Sequence, residues 1–137
     1  MQLSRGGTVT ETSPVKNEPR QRKVIVVEGK TDEERLRQVL EEPVSFVCTR
    51  GTLSYEKVEE WIVPLQDAEV YILVDADKPG MKLRNQLKQE LPNAAHLYTT
   101  RAYREVARTP LAYLARILMN AHFDIDESLL DEDTPLA

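Results

Sequence analysis

Residues 24–32 are Val-Ile-Val-Val-Glu-Gly-Lys-Thr-Asp, and residues 70–80 are Val-Tyr-Ile-Leu-Val-Asp-Ala-Asp-Lys-Pro-Gly. In both stretches an apolar, β-branched run ends in acidic residues, and a glycine and a helical pattern follow. Continuous apolar runs of this length are typical of strands that are buried on both faces of a parallel sheet. The two stretches therefore predict two strand–helix units of an α/β fold.

The same strand–helix alternation continues along most of the chain. We predict strands at residues 24–28, 44–48, 70–75 and 94–98. Apolar residues recur at helical spacing after a Thr31–Glu34 capping box, again within 58–65 and 83–91, and in 111–121 after a Thr109-Pro110 cap. Segment 99–108 is predicted to be a loop with one helical turn. The alternation predicts a three-layer, Rossmann-like fold with a four-stranded parallel sheet flanked by helices.

The order of the strands decides whether the two acidic stretches meet. In the order 2-1-3-4, strands one and three are neighbours and the chain reverses direction between them. Ligands of α/β sheets bind at such a switch point. Glu28, Asp75 and Asp77 would then converge, and each pair at ~5 Å would repel by roughly 3 kcal/mol at an effective dielectric of ~20. A hard divalent cation removes this repulsion, so we predict a Mg²⁺ site that also accepts Mn²⁺.

The acidic residues differ in how specific they are as signals. Asp75 and Asp77 lie on the same side of an extended chain, although Asp-x-Asp also occurs in turns. Glu28 ends a buried strand and is either a metal ligand or a general acid/base, and Gly29 permits a sharp turn and a close ligand. Asp32 either joins a second metal site or serves as a helix-dipole acid.

Several glycines and polar residues near these strand ends are candidate contacts to phosphate or nucleic acid. Each also has an ordinary structural alternative: an ion pair with Glu28 for Lys30, a plain turn for the two glycine-containing loops, and solvent exposure for Arg84. The candidates are Gly29, Lys30, Arg50, Gly51, Thr52, Lys78, Gly80 and Arg84.

Composition restricts the class of protein. The 137 residues suit one domain, no apolar run approaches the length of a membrane span, and the lone Cys48 fits a reduced core residue in a cytoplasmic protein. The net charge is −5, and residues 124–137 hold six acids and no base. This balance argues against a strong stand-alone nucleic-acid binder. We expect a flexible extension over residues 1–22, a folded domain over 23–123 and a flexible acidic tail over 124–137.

The two acidic stretches resemble the signature motifs of the Toprim domain, which is shared by bacterial primases, topoisomerases, repair proteins and some nucleases. The motifs are Val-Val-Glu-Gly-Lys at 26–30 and Val-Asp-Ala-Asp-Lys-Pro-Gly at 74–80. The resemblance covers roughly residues 23–121. Glu-Gly-Lys-Thr-Asp, Arg-Gly-Thr and Asp-Lys-Pro-Gly-Met-Lys-Leu-Arg are most similar to the ribonuclease that matures 5S ribosomal RNA precursors, and small stand-alone primase-like Toprim proteins of bacteria are similar too.

The resemblance implies Mg²⁺-dependent phosphodiester or phosphoryl-transfer chemistry on nucleic acid, with RNA favoured over DNA. It implies a hydrolase of the rRNA-processing type, with Glu28 as the acid/base or metal-binding glutamate and Asp75 and Asp77 as the metal-binding pair. Asp32 matches the acidic position that the nuclease branch uses for a second metal. The chain lacks the substrate-binding domains of those families, so a protein partner is expected to supply specificity.

Two other readings stay open at this point. The chain is alternatively a non-catalytic metal- or nucleic-acid-binding module that acts within a larger complex. A phosphoacceptor receiver domain with Asp75 as acceptor and Thr99 or Thr100 as the switch hydroxyl also fits the fold class. It lacks the expected paired acids after strand one, the fifth strand and the lysine beyond it.

Overall fold

The computed structural model describes residues 22–99 and 103–130. Within these residues the strands form one parallel sheet, and they are β1 (Lys23–Val27), β2 (Ser45–Cys48), β3 (Glu69–Leu73) and β4 (Ala95–Leu97). The strand order is β2-β1-β3-β4, which confirms the predicted order. In the register, Ile25 of β1 lies between Phe46 of β2 and Tyr71 of β3. The acidic ends of β1 and β3 are therefore neighbours.

Helical segments connect the strands and cover both faces of the sheet. The regular helices are α1 (Lys30–Val39), α3 (Lys78–Glu90) and α4 (Leu111–Asn120). The second segment, α2, begins as a single α-turn (Tyr55–Lys57) and continues as a π-helix (Val58–Ile62) and a 3₁₀ turn (Val63–Leu65). The prediction of a regular amphipathic α-helix in this segment is therefore wrong. Pro64 lacks the backbone N–H that an α-helix would need there.

Alternating residues of the central strands supply the two halves of the core. Val24 and Val26 of β1 belong to one cluster with α2 and α3, and Ile25 and Val27 belong to the other with α1 and α4. The first cluster includes Ile62, Ile72, Leu83 and Leu87, and the second includes Leu36, Leu73, Leu114 and Leu118, all fully buried. This arrangement confirms the predicted three-layer fold.

Two predicted helix caps are wrong. Helix α1 has Gly29 as its N-cap, and the Asp32 carboxylate accepts the Gly29 N–H at 3.1 Å. Because α1 begins before Thr31, a capping box between Thr31 and Glu34 cannot form. The Thr109 hydroxyl donates to the Glu105 carbonyl at 2.9 Å instead of capping α4.

Part of the predicted acidic tail packs against the domain. The Asp126 N–H donates to the Val39 carbonyl at 2.8 Å, the Glu41 N–H donates to the Asp124 carbonyl at 2.8 Å, and Ile125 is buried. A 3₁₀ turn (Glu127–Leu129) follows. Residues 124–130 therefore depart from the expected flexible tail, whereas 131–137, 1–21 and Thr100 lie outside the described residues.

The loop before α4 is confirmed to contain one short helical turn, a 3₁₀ turn at Val106–Arg108. No helix in the described ranges has the length and apolar character needed to cross a membrane.

Candidate metal centre

Three carboxylates meet where β1 and β3 end. Glu28 directly follows β1, and Asp75 and Asp77 follow β3 after Val74. One carboxylate oxygen from each of the three residues lies within 4.8 Å of the others, and all three side chains are partly buried. The sequence predicted this convergence from the strand order, and the structure shows it.

Each of these carboxylates is oriented by a different backbone N–H group. Glu28 Oε2 accepts the Asp75 N–H at 2.7 Å, Asp75 Oδ1 accepts the Val106 N–H at 2.9 Å, and Asp77 Oδ1 accepts the Gly80 N–H at 2.8 Å. A carboxylate has a second oxygen and further lone pairs. The amides thus fix the carboxylates and leave each with capacity to bind another group.

The carboxylates of the cluster repel one another. Burial raises the pKa of Glu28, and the charges of Asp75, Asp77 and Asp32 raise it further, against the lowering effect of the Asp75 N–H. Burial likewise raises the pKa of Asp75, with contributions from Asp77 and Glu105. Oxygen donors at this spacing suit a hard divalent cation, so the donor set fits a metal ion.

Asp32 lies beside this cluster but outside it. Its side chain is 7% exposed, and its Oδ2 atom accepts the Gly29 N–H. Burial raises the pKa of Asp32, and the charge of Asp75 is the next contribution. Asp32 therefore caps α1 while remaining electrostatically coupled to the cluster.

The loop after β2 lies next to Glu28. The Arg50 N–H donates to the Glu28 carbonyl at 2.7 Å, and Gln86 of α3 fixes both backbone polar groups of Leu53. Arg50 and Gly51 have positive φ angles of 57° and 107°, a conformation that glycine adopts readily and arginine rarely. The Arg50 and Thr52 side chains are exposed.

Exposed lysines begin the two helices that leave the site. Lys30 is the first residue of α1 and Lys78 the first of α3. In the described part of the chain, no ion pair joins Lys30 to Glu28, so the pairing alternative for Lys30 is wrong. Gly80 is buried, and a Cβ atom there would lie 2.0 Å from the Asp75 carbonyl oxygen.

Arg84 is not solvent-exposed, which was one of the two alternatives considered for it, and its charge interacts with Glu28 of the site. Its side chain is only 7% exposed, and its guanidinium donates to the Leu97 carbonyl at 2.9 Å and lies 2.9 Å from His96 Nδ1. It also lies 4.2 Å from the ring centroid of Tyr98. Burial lowers its pKa. Arg84 joins α3 to β4 beneath the site instead of extending toward solvent.

Sequence reasoning missed the segment that closes the site from the far side. This segment precedes α4. The Ala76 N–H donates to the Arg104 carbonyl at 2.7 Å, and the Val106 N–H, two residues further along, donates to the Asp75 carboxylate. Glu105 in this segment is a further carboxylate whose charge reaches Asp75 and Asp32. The hydrogen bonds of Arg104 and Val106 to the site use backbone groups, which any residue supplies. The residue types in this segment therefore do not indicate that it lies at the site.

Replacing Asp75 with asparagine is expected to stabilise the metal-free protein at neutral pH. The pKa of Asp75 is raised in the folded state, so folding disfavours its ionised form and stability falls as pH rises through that pKa. Asparagine can still accept the Val106 N–H. We expect a gain in unfolding free energy of about 1 kcal/mol at pH 7, because solvent screens the repulsion between these partly exposed carboxylates, and little gain near pH 4.

Urea denaturation in EDTA at both pH values measures this difference. Glu59, which is exposed on α2, provides the control substitution Glu59→Gln. If Asp75→Asn were less stable than wild type, and by the same amount at pH 7 and at pH 4, electrostatic repulsion at the cluster would be contradicted. Millimolar Mg²⁺ should raise the melting temperature of wild type and have little effect on Asp75→Asn.

Comparisons with known proteins match this geometry. A family model described as the Toprim domain matches residues 23–106. YusF of Bacillus subtilis, which is described as an uncharacterized protein, is 47% identical over 109 residues that make up 80% of this chain and 75% of YusF. A solved structure described as a small Toprim domain protein from Bacillus stearothermophilus is 47% identical, with a TM-score of 0.75, over 81% of this chain and 94% of the other.

Ribonuclease M5 proteins are more distant relatives. The enzyme of Mycoplasma genitalium is 34% identical over 76 residues, which make up 55% of this chain and 42% of that protein. That of Staphylococcus aureus is 33% identical over 78 residues, or 56% and 43%. The chain thus spans less than half the length of either ribonuclease.

Proposed function

The chain belongs to the Toprim family, and from this membership and the geometry of the acidic cluster we propose that it is a Mg²⁺-dependent enzyme that cuts or joins phosphodiester bonds, with RNA as the favoured substrate. The observation that carries the proposal is the set of three carboxylates within 4.8 Å, each held by a backbone amide. The similarity of the chain to ribonuclease M5 proteins supports nuclease-like chemistry.

Glu28, Asp75 and Asp77 would hold the metal ion. When bound, a divalent cation supplies charge stabilisation at a phosphoryl oxygen and helps to activate the attacking group. The chain itself would hold and move the proton: Glu28 is tied to the Asp75 N–H through one oxygen, which leaves the other free to exchange a proton with the attacking or leaving oxygen. Burial raises its pKa, which is the direction that favours a carboxyl group in proton transfer.

The exposed cations around the cluster would position the substrate backbone. Lys30 and Lys78 begin α1 and α3, and Arg50 is in the loop after β2, which are the segments that follow the strand ends at the site. Phosphate contacts of this kind orient nucleic acid without reading its sequence. The assignment of Gly29, Gly51 and Thr52 to phosphate binding belongs to the same proposal.

Cleavage assays provide the direct test. We expect wild-type protein with millimolar Mg²⁺ or Mn²⁺ to cut structured RNA faster than single-stranded DNA, and EDTA to abolish the cleavage. The control Glu59→Gln should behave as wild type. Cleavage that continues undiminished in EDTA would contradict the metal-dependent proposal, since the carboxylate cluster would then have no cation to stabilise the reacting phosphate.

A non-catalytic role is the second candidate. The net charge of −5 opposes tight stand-alone binding to nucleic acid, and more than half of each ribonuclease M5 has no counterpart in the matched region. A partner protein would then supply specificity. A stable complex recovered with tagged protein, with no turnover of any nucleic acid, would favour this role over the enzyme. A cytoplasmic location remains a prediction.

A further inference from the structure

A cavity of about 250 Å³ lies directly beside the acidic cluster. Asp75 belongs both to its wall and to the cluster, so the two features share a side. The other walls come from α3 and from the residues that follow β4, including Met81, Arg84, Lys88, Tyr98 and Thr99. Two larger cavities among the described residues lie at the amino ends of the strands, away from this edge. One is lined by residues that include Leu65 and Ala95, and the other by residues that include Arg22 and Ser45.

Tyr98 forms an aromatic wall that contacts Arg84. The Arg84 guanidinium lies over the ring at 4.2 Å from its centroid, and Arg84 is itself held by the Leu97 carbonyl and His96. Tyr98 nevertheless remains 56% exposed. An aromatic ring that is anchored on one side and open elsewhere is a ready stacking surface, because little conformational freedom is lost when a flat ligand binds.

The rest of the wall combines an apolar contact with polar groups. Met81 is 60% exposed and lines the cavity, where its flexible thioether side chain can pack against a ring. Thr99 Oγ1 is shielded from solvent and has no hydrogen-bond partner within the described residues. A buried hydroxyl without a partner favours a ligand that can donate or accept a hydrogen bond.

The wall carries charges of both signs and is otherwise largely apolar. Asp75 brings negative charge, Lys88 brings positive charge, and Arg84 is committed to the Leu97 carbonyl and to Tyr98. The apolar and aromatic groups favour a flat ring as the occupant, and Lys88 is available to a phosphate beside it. The volume lies below the ~300–1,000 Å³ of pockets for drug-sized ligands, so it suits a single ring system rather than a paired duplex.

We propose that this cavity binds one unstacked nucleobase, stacked on Tyr98, of the strand whose phosphate lies at the acidic cluster. This inference rests on the proposed nucleic-acid function and adds the recognition element for it. Because a base must leave its helix to enter, the protein would select unpaired nucleotides at the reaction site. Thr99 and Lys88 are the groups available to contact the base edge or the adjacent phosphate.

Binding measurements separate this proposal from catalysis. We expect fluorescence anisotropy with a short, labelled single-stranded oligoribonucleotide to show about 5- to 100-fold weaker binding by Tyr98→Ala than by wild type, the range set by the loss of one base stack. Tyr98→Phe, which keeps the ring, should bind as wild type. Tyr55, which is 76% exposed outside the cavity, gives the matched control Tyr55→Ala.

A second variant keeps the proposal testable if Tyr98→Ala fails to fold. In Tyr98→Trp combined with Trp61→Phe, the introduced indole should be quenched when the oligonucleotide binds, and an oligonucleotide with abasic positions should quench less. Wild-type affinity in Tyr98→Ala, an equal loss in Tyr55→Ala, or no binding of any single strand by wild type would each overturn the nucleobase site. Absence of cleavage with Tyr98-dependent binding intact would contradict only the enzymatic proposal.

Discussion

Glutamine at position 28 is expected to lower the rate of Mg²⁺-dependent phosphodiester cleavage by about 10²- to 10⁴-fold, the range that a positioned general acid or base contributes. Glutamine has nearly the same shape as glutamate, and its carbonyl oxygen can still accept the Asp75 N–H that Glu28 binds at 2.7 Å. The loop after β3 should therefore keep its position. What Glu28→Gln removes is the charge and the ability to exchange a proton.

Measurements of metal binding and rate together separate the two roles considered for Glu28. If Glu28 carries the proton, calorimetric titration should show Mg²⁺ affinity close to that of wild type while single-turnover cleavage is lost. If Glu28 is chiefly a ligand, both should decline. Glu59→Gln, which makes the same chemical change at an exposed position, should alter neither quantity. Cleavage at the wild-type rate by Glu28→Gln would remove Glu28 from the proposed mechanism.

The central features of the site could be predicted because they depend on patterns that the sequence states directly. Apolar runs define β1 and β3, and acidic residues at their ends are visible without any knowledge of the fold. The order β2-β1-β3-β4 was the one in which Glu28 could meet Asp75 and Asp77, and the structure has that order. The acidic residues at the ends of β1 and β3 thus helped to predict the strand order.

The features of the site that could not be predicted depend on contacts between groups that are distant in the sequence. The Val106 N–H binds Asp75 across 31 residues, and nothing about a valine predicts such a contact. The contacts of Arg84 could not be predicted for a related reason. Its residue type suggested phosphate binding, but the direction of the side chain depends on the packing of α3 against β4, where the Leu97 carbonyl and Tyr98 take up its guanidinium.

The helix cap at Gly29 shows how a structural and a site role can coincide. Asp32 accepts the Gly29 N–H and so begins α1, yet the same carboxylate is buried next to Asp75. The two alternatives for Asp32, a helix-terminal acid and a participant in the site, are therefore not exclusive. A residue with one oxygen committed to the backbone retains capacity for another contact, as the three cluster carboxylates do.

Alanine at position 80 is expected to destabilise the protein and to disrupt the metal centre together. Within most helices, a change from glycine to alanine adds about 0.5–1 kcal/mol of stability. Here the new Cβ would lie 2.0 Å from the Asp75 carbonyl oxygen, 2.8 Å from its carbon and 3.0 Å from Asp77 Oδ1. Because the first two atoms are backbone, no side-chain rotation relieves the overlap, and the loop must separate from α3.

The overlap should exceed the gain in helix propensity, since forced packing of this kind costs about 1–3 kcal/mol or more. The Gly80 N–H holds Asp77 and the overlap displaces Asp75, so Gly80→Ala should also reduce the rise in melting temperature produced by Mg²⁺. Urea denaturation and thermal melting with and without Mg²⁺ measure the two effects. Gly29→Ala is the control for a glycine replaced without overlap, because a Cβ there has its nearest neighbour at 3.7 Å, the flexible Asp32 carboxylate, and the Gly29 φ of −137° is open to any residue. Its expected cost is only the weaker N-cap preference of alanine, about 1 kcal/mol or less. Equal stability of the two variants would show that the close contact at Gly80 does not constrain the loop that carries the carboxylates.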